Sequence, residues 1–202
     1  LDEALERYQS ALNRNPDFVQ ALFNMGNAYR ALAKLDRASA CYLRVFELKP
    51  DFVPACLCLG EIARECYQLD LARQYYETAL AIDSSCVDAL QGVAEVFQAA
   101  EKFEEAIATY QKLLAQKPDR ATTWNIMGTA YHSLEKLEDA ESCYRRALGL
   151  LPSQATVLNN LGVVLIAQGR LDEAVDVYHH LLDRDPDYGE GHWNLALALL
   201  AK

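Results

Sequence analysis

The chain has 202 residues, 51% of them hydrophobic, which is ample for a continuous core. A net charge of −10 and a pI near 4.8 argue against nucleic acid or an anionic membrane surface, both of which need a basic patch, so partners are expected to be neutral or basic proteins or peptides. No apolar run reaches the roughly 18 residues of a membrane span, so no membrane contact is expected. The opening LDEALERY has neither a basic leader nor an apolar signal region, which puts any targeting segment outside these residues, and a cytoplasmic location is expected from six cysteines that suit reduced thiols.

In chain order, residues 1–18 read as a lone helix carrying Ala4 and Tyr8. The same pair returns every thirty-four residues, as Ala38 and Tyr42, Ala72 and Tyr76, Ala106 and Tyr110, Ala140 and Tyr144, Ala174 and Tyr178. Five complete units follow, at 19–52, 53–86, 87–120, 121–154 and 155–188, and 189–202 reads as a lone helix again. In the first unit, Leu22, Met25, Ala28, Tyr29 and Leu32 recur at helical spacing, as do Leu35, Ala38, Tyr42, Val45, Phe46 and Leu48. The spacing predicts two helices per unit, over about 20–32 and 36–48, with a turn near Ala33 and Lys34 that Gly169 marks in the fifth unit.

Pro16, Pro50, Pro118, Pro152 and Pro186 fall at the ends of second helices, which a proline cannot continue, and the Asp after four of them precedes the next helix. Gly26, Gly60, Gly128 and Gly162, with Ala94 and Ala196 at the two other places, each follow a large apolar residue. Two antiparallel helices approach closely only where a side chain is nearly absent, and the tyrosine is expected to fill the gap between units. A unit so built leaves one apolar face for its neighbour to cover, so the units must stack into one domain over 1–202.

A thirty-four-residue helix-turn-helix unit with these positions resembles the tetratricopeptide repeat along the whole chain. Trp124, Met127, Gly128, Tyr131, Ala140, Tyr144, Ala147 and Pro152 match the family signature at all eight places. The second unit departs from it at Cys56, Ala63 and Ser84, the third at Leu90 and Ala94. The resemblance implies an all-α, right-handed superhelix of antiparallel helix pairs, whose concave face, lined by the first helices, binds peptides. On that implication the candidate binding residues are Asn24, Asn27, Arg30, Arg64, Asn125, His132, Asn159, Asn160, Trp193 and Asn194.

Two family binding modes bear on these residues. The clamp for an acidic C-terminal tail needs Lys at the place of Phe23, Asn at those of Asn27 and Cys58, and basic residues at those of Asp88 and Gly92; only Asn27 matches. Asp88 and Glu95 stand where a carboxylate ligand would need cations, which sets that mode aside. The chain is also similar to the repeat region of O-linked N-acetylglucosamine transferase, where asparagines grip the backbone of an extended peptide. Asn24, Asn160 and Asn194 occupy that ladder position, and a carboxamide offers a donor and an acceptor to any peptide unit.

No catalytic, metal or cofactor constellation is read. Cys56 and Cys58 are two apart on a helix and point to different sides, Cys41 and Cys143 are expected in packing, and reduced thiols suit a chain of this size better than a disulfide framework. His179 and His180 are adjacent on a second helix and cannot converge on one ion. A protein-interaction scaffold is the leading expectation, with the substrate-targeting arm of a larger enzyme such as a glycosyltransferase, or a self-assembling scaffold, as alternatives. The lone end helices are complementary, so copies are expected to associate through them, either head to tail, with Leu199 of one near Leu5 of the next, or as a pair of like ends. Light scattering tests this: the 202-residue chain should associate at high concentration, and a strict monomer indifferent to Leu199→Glu would rule it out.

Overall fold

The computed structural model describes residues 1–202, in two compact units, Leu1–Ala100 and Glu101–Lys202. The first unit holds α1 (Asp2–Arg14), α2 (Val19–Ala31), α3 (Leu35–Leu48), α4 (Val53–Glu65), α5 (Leu69–Ile82) and α6 (Val87–Ala99). The second holds α7 (Phe103–Gln116), α8 (Ala121–Ser133), α9 (Leu137–Leu150), α10 (Ala155–Ala167), α11 (Leu171–Arg184) and α12 (Gly189–Ala201). There is no strand. Even-numbered helices are the first helices of the repeats, and inside each unit every helix packs on the next in sequence.

The tyrosines set the spacing between helices. Tyr42, Tyr110, Tyr144 and Tyr178 are fully buried and Tyr76 nearly so, while Ala38, Ala72, Ala106, Ala140 and Ala174 are sealed beside them. A Cβ added at Gly26 would lie 2.6 Å from Cε1 of Tyr42, and one at Gly128 would lie 2.6 Å from Cε1 of Tyr144, so the ring occupies the volume a side chain would need. Tyr76 is wedged from both sides, by Gly60 of its own repeat and Gly92 of the next. This accounts for the third repeat, which carries Ala94 at the expected small position but presents Gly92 to the preceding tyrosine. Tyr8 and Ala4 of α1 are only half-buried.

The turn inside each repeat has a backbone cause. Ala33 lies at φ +55, its N–H donates to Arg30 O and that of Lys34 reaches back to Tyr29 O, the pair of bonds that closes a helix through one left-handed residue. Tyr67, Glu135 and Gly169 close their helices in the same way. The link between repeats works differently. Phe18, Phe52 and Tyr188 stand at helix starts without a side-chain cap, and Asp17, one place earlier, accepts from Arg44 at 2.7 Å instead. The indole of Trp124 donates to Pro118 O at 2.9 Å, and His192, at the equivalent place two repeats on, meets Pro186 O at 2.8 Å. Each ties the start of a first helix to the proline before it.

In the second unit the core gathers Tyr144, Ala147, Val157, Leu161, Val164, Leu165 and Tyr178 from α9, α10 and α11. In the first, Leu12, Leu22, Met25 and Val45 join α1, α2 and α3, and Ala38, Tyr42, Leu59 and Ile62 carry the packing on to α4. Leu199 and Leu200 of α12 are exposed, as is Leu1.

Candidate functional site

The first helices of the first unit are laced together by charge. Arg30 on α2 pairs with Glu61 and, at 3.3 Å, with Glu65, both on α4, and Arg64 on α4 pairs with Glu95 on α6 at 3.5 Å. The Arg30 and Glu61 side chains are about one-third exposed, so water screens them and each such pair contributes at most about 1 kcal/mol. Gln91 donates to Glu95 at 2.8 Å, and the Tyr42 hydroxyl donates to Asn27 Oδ1 at 2.7 Å. Burial pushes the Cys58 thiol above its ordinary pKa, opposed in part by Tyr42 and Arg30. Asn24 accepts from Gln20 on its own helix at 3.1 Å. Of the sequence-selected residues here, Arg30 and Arg64 join neighbouring repeats, Asn27 braces a core tyrosine, and Asn24 joins none of the others.

The second unit is built from amides. Asn160 on α10 donates to Asn125 Oδ1 on α8 at 3.1 Å, and Asn194 on α12 donates to Asn159 Oδ1 on α10 at 2.9 Å. Asn159 is buried, lies 3.4 Å through Nδ2 from Glu190 Oε2, and accepts from the Tyr178 hydroxyl at its carbonyl, also at 3.4 Å. Four of the selected residues are therefore brought together as two side-chain pairs. In the Asn125–Asn160 pair the amino group of Asn160 meets the carbonyl of Asn125, so the bond uses neither the amino group of Asn125 nor the carbonyl of Asn160. His132 is half-buried on the last turn of α8 and belongs to neither pair, while Trp193 is 68% exposed. Sequence reasoning missed Glu190, although the thirty-four-residue register places it level with Asp88, which it did consider for ligand charge.

The remaining polar groups are ordinary. All six cysteines are free thiols, and Cys41, Cys56 and Cys143 are buried. Burial, with Asp139 nearby, pushes Cys143 up to about 12, which keeps it a protonated packing group at neutral pH. His179 and His180 are exposed, His180 accepting from Arg184 at 2.7 Å. No three His, Cys, Asp or Glu residues cluster as a metal site needs, and no helix is long and apolar enough to cross a membrane.

Tetratricopeptide-repeat models match residues 127–188 and 159–202, 86–153, and 19–52, and a further model of the same repeat matches 1–32. The chain belongs to the tetratricopeptide-repeat family. Its all-α fold of helix pairs is the family's fold. The stretch between the matched segments falls in the second repeat, where Cys56, Ala63 and Ser84 depart from the signature. No curated protein matches the chain. Among solved structures it is similar to YrrB, described as a tetratricopeptide protein with an unusual peptide-binding site, with a TM-score of 0.77 and 19% identity over 93% of this chain and 96% of that one. MamA gives 0.77 and 19% over 83% and 92%, and a thermophilic tetratricopeptide protein of Thermus thermophilus gives 0.64 and 21% over 90% and 99%. At these identities the likeness is one of fold.

Proposed function

We propose that this tetratricopeptide chain is a protein-interaction scaffold that holds an extended peptide segment of a partner along its first helices. Its repeats, and the peptide-binding protein among its structural relatives, support the scaffold role. The observation that carries the finer reading is the Asn125–Asn160 pair, which leaves one amide donor and one acceptor on a face otherwise short of charge. Such a pair recognises the backbone of a peptide irrespective of its side chains, as a broad-specificity scaffold requires. The selected residues divide between two roles. In the first unit Arg30, Arg64 and Asn27 are engaged in holding the repeats, so the second unit supplies the free hydrogen-bonding groups.

Asn160→Ala is the discriminating substitution, because it removes a ligand-facing carbonyl and leaves only half-buried Asn125 without its donor. Peptides selected on the wild-type chain from a random, end-blocked decamer library should bind Asn160→Ala about tenfold more weakly, with thermal unfolding nearly unchanged. Adding Asn194→Ala should weaken binding further, and it will also lower stability by about 1 to 3 kcal/mol, because buried Asn159 then loses its donor. Affinity indifferent to Asn160 would move the site off this face.

A further inference from the structure

The three first helices of the second unit, thirteen residues each, contain a single Asp, Glu, Lys or Arg, and it is Glu190. Three residues on along α12, and so on a neighbouring position of the same helix face, stands Trp193, 68% exposed. Glu190 is oriented rather than neutralised. Its Oε2 lies 3.4 Å from Asn159 Nδ2 and 3.5 Å from the Tyr188 hydroxyl, both uncharged, and no Lys, Arg or His bonds to either oxygen. The first unit offers a contrast, since there both arginines of the first helices are paired with carboxylates. Trp193 itself takes the register place of Asn125 and Asn159, so an aromatic plane replaces an amide where the amide row reaches α12.

From this arrangement we infer that Glu190 and Trp193 form a pocket for one basic side chain, lysine or arginine, of the peptide that the amide row holds. The inference rests on the first-helix face being the peptide site. A cation placed against the indole face gains from the ring's quadrupole, and a carboxylate one turn away supplies the opposite charge. An acidic side chain meets only repulsion there, and an apolar one would leave the carboxylate without a counter-charge. Amides thus fix the backbone, while Glu190 and Trp193 fix the register of the peptide by one charged residue.

The probes are end-blocked decamers selected from the random library, measured at a chain concentration where light scattering shows a monomer. The Trp124→Phe chain is used so that indole fluorescence reports Trp193 alone. Selected peptides should be enriched in Lys or Arg, and exchanging that residue for norleucine should weaken binding about tenfold, with the loss shrinking as salt is added. Glu190→Gln, at an exposed position, should abolish the difference between the lysine and norleucine peptides while leaving thermal unfolding in place. Equal affinity of the two peptides for the wild-type chain, with binding still weakened by Asn160→Ala, overturns the basic pocket and leaves the peptide face standing. Binding indifferent to both Asn160 and Glu190, or a library that yields no binder, overturns the two readings together.

Discussion

Replacing Tyr144 by Ala should lower the unfolding free energy by about 3 to 5 kcal/mol, the range for removing a buried aromatic ring. The ring has no exposed surface, lies against Gly128 on one side, and shares a core with Ala147, Val157 and Leu161. The cost has two parts, the transfer of the ring to water and the cavity it leaves. Helices α8, α9 and α10 cannot collapse into that cavity without losing their own contacts. Tyr8→Ala provides the comparison, because Tyr8 is half-buried and its removal should cost much less. Burial holds the Tyr144 hydroxyl well above its ordinary pKa, with Cys143 adding to the effect, so the folded state keeps the phenol neutral and the result should be the same from pH 6 to 9. Denaturant unfolding of both variants measures the difference. A Tyr144→Ala loss no larger than that of Tyr8→Ala would mean that the ring does not set the helix spacing.

Much of this fold is legible in the sequence because each repeat solves one packing problem in the same way. Tyr, Ala and Gly recur at fixed places, and the helices begin and end within a residue or two of where the apolar spacing puts them. What the spacing cannot show is which residues touch. Aligning repeats at thirty-four groups equivalent positions, whereas side chains of successive first helices meet at offsets of 31 and 35, as in Arg30 with Glu61 and Asn160 with Asn125. These offsets are one helical turn apart and bracket the repeat length, the stagger of two packed helices. The spacing therefore shows Asn125, Asn159, Asn160 and Asn194 as candidate ligands but not as the two bonded pairs they form. Glu190 lies outside that row of asparagines.

The capping residues show the same limit. Asp after Pro marks the start of the next helix in sequence, but in the structure the cap position belongs to the residue after it, and Asp17 goes to Arg44. Gly92 was likewise invisible to a pattern that expected one small residue per first helix. The pattern places the tyrosine in the gap between units, and the structure shows how Tyr76 fills it, with Gly60 of its own repeat and Gly92 of the next both against its ring.

The wedge geometry makes a sharper prediction, in which one substitution changes sign with its background. Gly128→Ala places a methyl where the nearest ring atom, Cε1 of Tyr144, is 2.6 Å away, well inside van der Waals contact. The ring has no exposed edge to move toward, so the methyl should cost about 1 to 3 kcal/mol, the usual range for overpacking. In the Tyr144→Ala background the obstacle is gone, and only the intrinsic preference of a helix for Ala over Gly remains, worth about 0.8 to 1 kcal/mol in favour of the change. The same substitution should thus destabilise one protein and stabilise the other, with a coupling of about 2 to 4 kcal/mol across the double-mutant cycle. Gly149→Ala supplies the control within α9, since nothing lies within 4 Å of a Cβ there and Ala should stabilise the chain whether or not Tyr144 is present. Denaturant titrations of the four proteins give the coupling directly. A Gly128→Ala effect of the same sign and size in both backgrounds would show that the glycine serves the helix backbone and not the tyrosine ring.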